Sequence, residues 1–218
     1  MLRRWGASAF HATDFYPGGG EFKRNGNPER EEWFQEDCKA IPKIIGEHVS
    51  RVVAVAFRPE EFAAKASDEW KEAFGTDTHA MAVQLCLVMN GWWLQDKSST
   101  EYFAYTQESG DKNESQIEDV VRKLRNDPDY SKLIRVKSFT SADKGHARGM
   151  EASDFLAWHW DKHAIERLGK GMDFRKDFAA FANLTEHRGK VQSAFVTGEK
   201  LDSYFQTLER AWKDKTTS

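Results

Sequence analysis

The run Arg51-Val52-Val53-Ala54-Val55-Ala56-Phe57 is apolar on both faces of an extended chain. A strand with one wet face alternates between apolar and polar residues. One that does not alternate has to be covered by helices on both sides, as in a sheet built from strand–helix–strand units. Two further strands are read at Glu101–Gln107, rich in aromatic residues, and at Ile134–Phe139. In the latter, Ile134 and Val136 alternate with Arg135 and Lys137, which leaves one side near solvent. Helix-length crossovers separate the strands. A mostly apolar helix, Thr78–Trp93, is expected to pack across the sheet. An amphipathic helix carries Ile117, Val120, Val121 and Leu124 on one face, closed by the turn Asn126-Asp127-Pro128-Asp129. The expected fold class is α/β, a mixed and largely parallel sheet with helices on both faces.

Phe34, Cys38, Ile41 and Ile45 recur at helical spacing, which predicts a helix from about Glu29 that Pro42 kinks or ends early. The Gly-, Asn- and Pro-rich stretch from Tyr16 to Pro28 before it reads as a mobile loop. A long helix is predicted over Met150–Leu168, ended by Gly169 and Gly171. Two more are predicted, one with the stripe Phe174, Phe178 and Phe181, the other with Leu201, Tyr204, Phe205, Leu208 and Trp212. A chain of 218 residues makes one domain or one with an appendage. Residues 1–170 are read as the α/β domain and 171–218 as a helical extension packed on it.

Aromatics at 13% exclude disorder over most of the length. A net charge of −3 excludes a global attraction to nucleic acid, so any such contact rests on a local patch. Cys38 and Cys86 cannot build a disulfide framework, and their apolar, helix-like settings suit a reducing cytoplasm. The N-terminus lacks the apolar core of a secretory signal. The most apolar run, Ala80–Leu94, is too short for a bilayer and is broken by Gln84, Asn90 and Gly91. A cytoplasmic protein with no membrane partner is expected.

Chemistry in open α/β sheets gathers beyond the carboxyl ends of the strands. Two carboxylate-bearing segments stand there: Glu108-Ser109-Gly110-Asp111, and Gly149-Met150-Glu151-Ala152-Ser153-Asp154 at the start of the long helix. Glu151 and Asp154 share a helix face, and like carboxylates repel unless a cation neutralises them or one stays protonated. A hard divalent ion with oxygen ligands is the usual answer. Acids near a helix start also simply favour its dipole. His11 and Asp14 either coordinate, relay a proton or cap the following loop. His159 and His163 lie at i and i+4, a spacing that clamps zinc, but Trp160 stands where a zinc protease needs Glu, so a solvated, partly stacked pair is expected. Trp92-Trp93 and Trp158/Trp160 read as core or interface rather than base-stacking platforms. Arg135, Lys137, Lys144, His146 and Arg148 form the basic stretch near Asp154, which either meets phosphates or is a solvated face.

The segment Phe10-His11-Ala12-Thr13-Asp14-Phe15 resembles the Phe-His-x-x-x-Phe signature of the domain of unknown function 3800 family. Gly149-Met150-Glu151-Ala152-Ser153-Asp154-Phe155-Leu156-Ala157 is similar to that family's Gly-Leu-Gln-x-Ala-Asp-Leu-x-Ala, with Glu151 in place of Gln. The likeness covers roughly Phe10 to Trp160 in element order, and only its two ends are specific. It implies a ribonuclease H-like fold and a metal-dependent nuclease. The family's first strand, with its Asp-Glu-Ser-Gly motif, has no counterpart before His11, so an N-terminally truncated form is expected.

Two functions follow. In the first, a Mg²⁺- or Mn²⁺-dependent nuclease, Asp154 and Glu151, with Glu108, Asp111 or Asp14, hold the ion that polarises a phosphate and activates water. Arg148 and Lys144 steer a nucleic-acid strand, and His11 shuttles a proton. In the second, a non-catalytic interaction protein of phage or mobile-element biology, an uncovered sheet edge pairs with a second copy or a protein partner.

Overall fold

The start of the first long helix is written in Asn27-Pro28-Glu29. In a computed structural model of the chain, the Asn27 side chain accepts from the backbone N–H groups of Glu29 (2.9 Å) and Arg30 (3.3 Å). Pro28 takes the first helical position, where its missing N–H has no partner to lose. The structure describes residues 1–68, 71, 76–97, 99–110, 112–143, 146–147, 149–170, 191–196 and 202–203. In order, the elements are α1 (Leu2–Trp5), α2 (Ala12–Phe15), a 3₁₀ turn (Gly20–Phe22), α3 (Pro28–His48), β1 (Val52–Phe57), α4 (Pro59–Lys65) and α5 (Thr78–Asp96). They continue with β2 (Phe103–Glu108), α6 (Glu114–Asn126), α7 (Pro128–Ile134), β3 (Val136–Ala142), α8 (Gly149–Lys170) and β4 (Val191–Val196).

The fold mixes helices and strands, as the sequence predicts, but the sheet differs. β2 pairs with β3 and β1 with β4, giving, among the described residues, two two-stranded sheets where one sheet holding all three predicted strands was expected. The β2–β3 pair is parallel: Phe103 N donates to Arg135 O (3.1 Å), and further along both strands Ser109 N donates to Ala142 O (3.0 Å). Side-chain alternation tells which face of a strand is buried and says nothing of its neighbour, so the pairing was not readable from it. α3 runs on to His48 with Pro42 inside it, instead of ending there. Pro42, Ile45 and Gly46 are buried on its inner side, and that packing carries the helix past the lost hydrogen bond. The Tyr16–Pro28 stretch is pinned by Phe22, which is buried in its 3₁₀ turn. The expected helices around Phe174 and Leu208 lie outside the described residues.

The chain divides into two compact units. One comprises Met1–Ala54, Thr106–Ser109 and Thr140–Gln192; the other comprises Val55–Tyr105, Gly110–Phe139 and Ser193–Ser218. The second unit holds an aliphatic core around α5, which is apolar on every side and therefore buried on most of them, as a central helix must be. Asp77 caps it, accepting from Ala80 N at 2.7 Å. Leu85, Leu87 and Val88 of α5 join Ile117, Val120, Val121 and Leu124 of α6, with Ile134 and Val136. The Asn-Asp-Pro-Asp segment closes α6 and also opens α7. Asp127 accepts from Asp129 N (2.9 Å) and Tyr130 N (3.0 Å), and Pro128 follows it. Arg135 then stops α7 in the left-handed conformation, φ 50°, which moves the start of β3 from the expected Ile134 to Val136.

The first unit is held by rings. Trp5, Phe10, Phe15 and Phe22 are buried together, with centroids of neighbouring pairs 5.3–6.2 Å apart. Asp37 of α3 is buried beneath them and accepts from Trp5 Nε1 (2.8 Å) and Arg4 Nη2 (2.5 Å). Desolvation alone would lower the Arg4 guanidinium; its hydrogen bonds to Glu36 and Asp37 outweigh that and raise it above its ordinary value.

Candidate functional site

Glu151, Asp154, Phe155, Trp158 and His159 fall at i, i+3, i+4, i+7 and i+8 of α8, so they line one face of the helix. That face meets the N-terminal Phe-His segment within the first unit. Phe10 N donates to Glu151 Oε1 at 3.2 Å, and Ala12 N donates to Asp154 Oδ2 at 2.8 Å. One helical turn further on, Tyr16 lies flat on Trp158, with centroids 4.1 Å apart and planes at 8°. Its hydroxyl is 2.5 Å from His159 Nε2. The two stretches that resemble the family are therefore hydrogen-bonded to each other across 141 and 142 residues of chain.

The other expected site residues have separate surroundings. His11 is the residue before α2, half-buried, and its carbonyl accepts from Asp14 N (3.1 Å) and Phe15 N (2.9 Å). Asp14 is exposed and closes the glycine loop. Its carbonyl accepts from Gly19 N at 2.7 Å, and a Cβ added at Gly19 would stand 3.4 Å from its Oδ1. Glu108 ends β2 on the exposed side, and the following Ser109 donates its hydroxyl to Asp143 Oδ1 at 2.7 Å. Asp111, Lys144 and Arg148 lie outside the described residues. Among the described residues, no group of three or more His, Cys, Asp or Glu side chains is gathered to hold a metal ion.

The remaining residues of the basic stretch act singly. Arg135 donates its guanidinium to the Ser99 carbonyl, tying down the chain before β2. Lys137 is exposed, and His146 pairs with Asp143 at 3.6 Å. The histidine pair of α8 corrects the expectation of a solvated one. His159 and His163 are 2% and 0% exposed. Phe155, His159 and His163 recur every four residues, a buried stripe that the spacing itself records and the polarity of imidazole obscured. Trp160 is buried against His163, while Trp92 is 43% exposed.

Sequence reasoning missed the Tyr16–His159 bond, because nothing local signals a partner 143 residues away. It also missed two buried amides. Gln84 of α5 and Gln107 of β2 are 0% and 7% exposed, and neither amide has a hydrogen-bond partner among the described residues. No described helix is long and apolar enough to cross a membrane. Comparison with models of known protein families, with curated proteins and with solved structures finds no match.

Proposed function

We propose that the chain is a non-catalytic interaction protein of the cytoplasm, with a ribonuclease H-like α/β fold in which Glu151 and Asp154 serve as anchors for the N-terminal segment. The observation that carries this reading is the use of these carboxylates: each accepts a backbone N–H from the Phe-His segment. Two like charges three residues apart are thus compensated by amide dipoles and by the N-terminal end of α8, with no call for a cation. The interaction itself is supported by the sheets. Among the described residues each sheet has two strands, so every strand has one side without a strand neighbour, a template for pairing with a second copy or another chain.

The test is thermal unfolding of the wild-type chain and Asp154→Asn, each with and without Mn²⁺, beside incubation with single-stranded and duplex DNA and RNA. Neither form should gain stability from the ion or cleave nucleic acid. Asp154→Asn should fold and lose about 1 kcal/mol, since an amide oxygen still accepts from Ala12 N but without the charge. Sedimentation should detect self-association, or a bound partner, in the concentrated protein. A Mn²⁺-induced rise confined to the wild type, or cleavage abolished by Asp154→Asn, would instead establish the metal-dependent nuclease, with Asp154, Glu151 and Glu108 or Asp111 around the ion.

A further inference from the structure

We propose that Trp158 and Tyr16 form a one-electron oxidation relay that ends on Tyr16, with His159 as the acceptor of the phenolic proton. Three observations within the first unit converge on it. The rings of Tyr16 and Trp158 are parallel and in contact, 4.1 Å between centroids at 8°, so no intervening group separates the two π-systems. The Tyr16 hydroxyl sits 2.5 Å from His159 Nε2. In the tautomer with hydrogen on Nδ1, Nε2 presents its lone pair to the hydroxyl and takes the proton that a tyrosine must lose on oxidation; the relay uses that tautomer. Finally, the Lys162 ammonium lies 5.9 Å from the centroid of the Trp158 ring. That ammonium, which also pairs with Asp161 Oδ2 at 3.5 Å, opposes a positive charge resting on the indole and favours its passage to Tyr16, which ends as a neutral radical once the proton has left.

A diffusing one-electron oxidant, of the class of peroxide-derived radicals, takes an electron from Trp158; Trp158 and Tyr16 are both half-buried. Tyr16 returns an electron to the indole and its proton passes to His159 Nε2. Tryptophan is restored, and a neutral tyrosyl radical stands beside an imidazolium. A small thiol or ascorbate-class reductant then supplies one electron, and the proton returns from His159 to the phenolate oxygen. This relay is independent of the interaction reading: it concerns what α8 and the N-terminal segment do with an electron, whatever the partner.

The experiment is photo-oxidation of the full chain by ruthenium tris(bipyridine) with a sacrificial electron acceptor, followed by freeze-quench electron paramagnetic resonance. The wild type should give a tyrosyl signal. Tyr16→Phe, which keeps the stacked ring and removes only the hydroxyl, should lose it and show a tryptophanyl signal instead. Tyr102, 63% exposed, is the competing site on accessibility alone. A tyrosyl signal of undiminished yield in Tyr16→Phe, whether it comes from Tyr102 or from another tyrosine, overturns the relay. The proton acceptor is tested by His159→Gln, which should lower the tyrosyl yield, and, in the unmutated chain, by slower tyrosyl formation in D₂O. Formation at the same rate in both solvents removes His159 from the step.

Discussion

Gly91 sits in the middle of α5, where replacing glycine by alanine ordinarily stabilises a helix by about 0.8–1 kcal/mol. Here the sign should reverse. A Cβ built on Gly91 would stand 2.1 Å from the Leu133 carbonyl oxygen, 2.8 Å from its carbon and 3.3 Å from Ile134 Cα. All three atoms are backbone at the end of α7, so no side chain can swing aside, and α5 and α7 would have to move apart by about 1 Å to restore ordinary contact. Their separation disturbs Ile134 and Val88, both fully buried in the same aliphatic core. Overpacking of this kind costs about 1–3 kcal/mol and at times more, and a rigid backbone neighbour puts Gly91→Ala near the top of that range. After subtracting the propensity gain, the net loss is about 2 kcal/mol, a fall in Tm of about 4–8 °C for a chain of this length. Urea unfolding followed by circular dichroism measures it, with the midpoint expected to fall at unchanged m. Equal or greater stability of Gly91→Ala would refute the close approach of α5 and α7 and the packing of the second unit built on it.

Further outcomes follow from buried polar groups. Asp37→Ala removes the acceptor of the buried Trp5 indole N–H and one partner of Arg4, and should cost about 2–4 kcal/mol with an altered Trp emission maximum; a loss under 1 kcal/mol would show the bridge to be dispensable. Gln84→Met is near-isosteric and deletes a buried amide with both polar atoms unpartnered, so a gain of about 1–3 kcal/mol is expected in the same unfolding assay. Burial pushes the Cys86 thiol up to about 12, against a smaller lowering by its hydrogen bond with the Val55 backbone. Below the ordinary value of 9.0 both folded and unfolded thiols hold their protons; above it the unfolded chain releases its proton first, so Cys86 should erode stability progressively from pH 9.0 to about 12. Alkylation of native Cys86 at pH 8 should accordingly lag far behind that of the urea-unfolded chain.

How much of this fold the sequence shows depends on the length scale of each signal. α6 is legible because Ile117, Val120, Val121 and Leu124 repeat at helical spacing and all four are buried. α4 and α7 are seven residues each, too short for periodicity, and both open on a proline that looks like a turn. Of their starts, Asp127-Pro128 is told from a turn by the capping bonds of Asp127, whereas Arg58-Pro59 carries no side-chain capping bond at all. β4, Val191–Val196, falls between two expected helices and went unread. At the candidate site the face shared by Glu151 and Asp154 is a local property and was legible. What that face meets is non-local: the partners of residues 151, 154 and 159 are residues 10, 12 and 16, and no spacing rule reaches across that separation.

The meeting of those segments changes what the family-like residues imply. Carboxylates clustered at the carboxyl end of a strand point to a cation because their repulsion has to be answered. On the reading proposed above, the answer is supplied from inside the chain. Ala12 is fully buried, so its N–H has no water to turn to, and Asp154 provides the acceptor that makes the α2 turn affordable. Phe10 N is satisfied in the same way by Glu151, while the Phe10 and Phe15 rings fill the space beside Phe155 and Phe22. Truncating Asp154 to Ala would therefore leave a buried amide unpaired, at a cost of about 1–3 kcal/mol that falls on folding and owes nothing to metal. In this chain Asp154 and the Phe-His segment pack as one unit, and the metal experiment measures whether that unit also cuts.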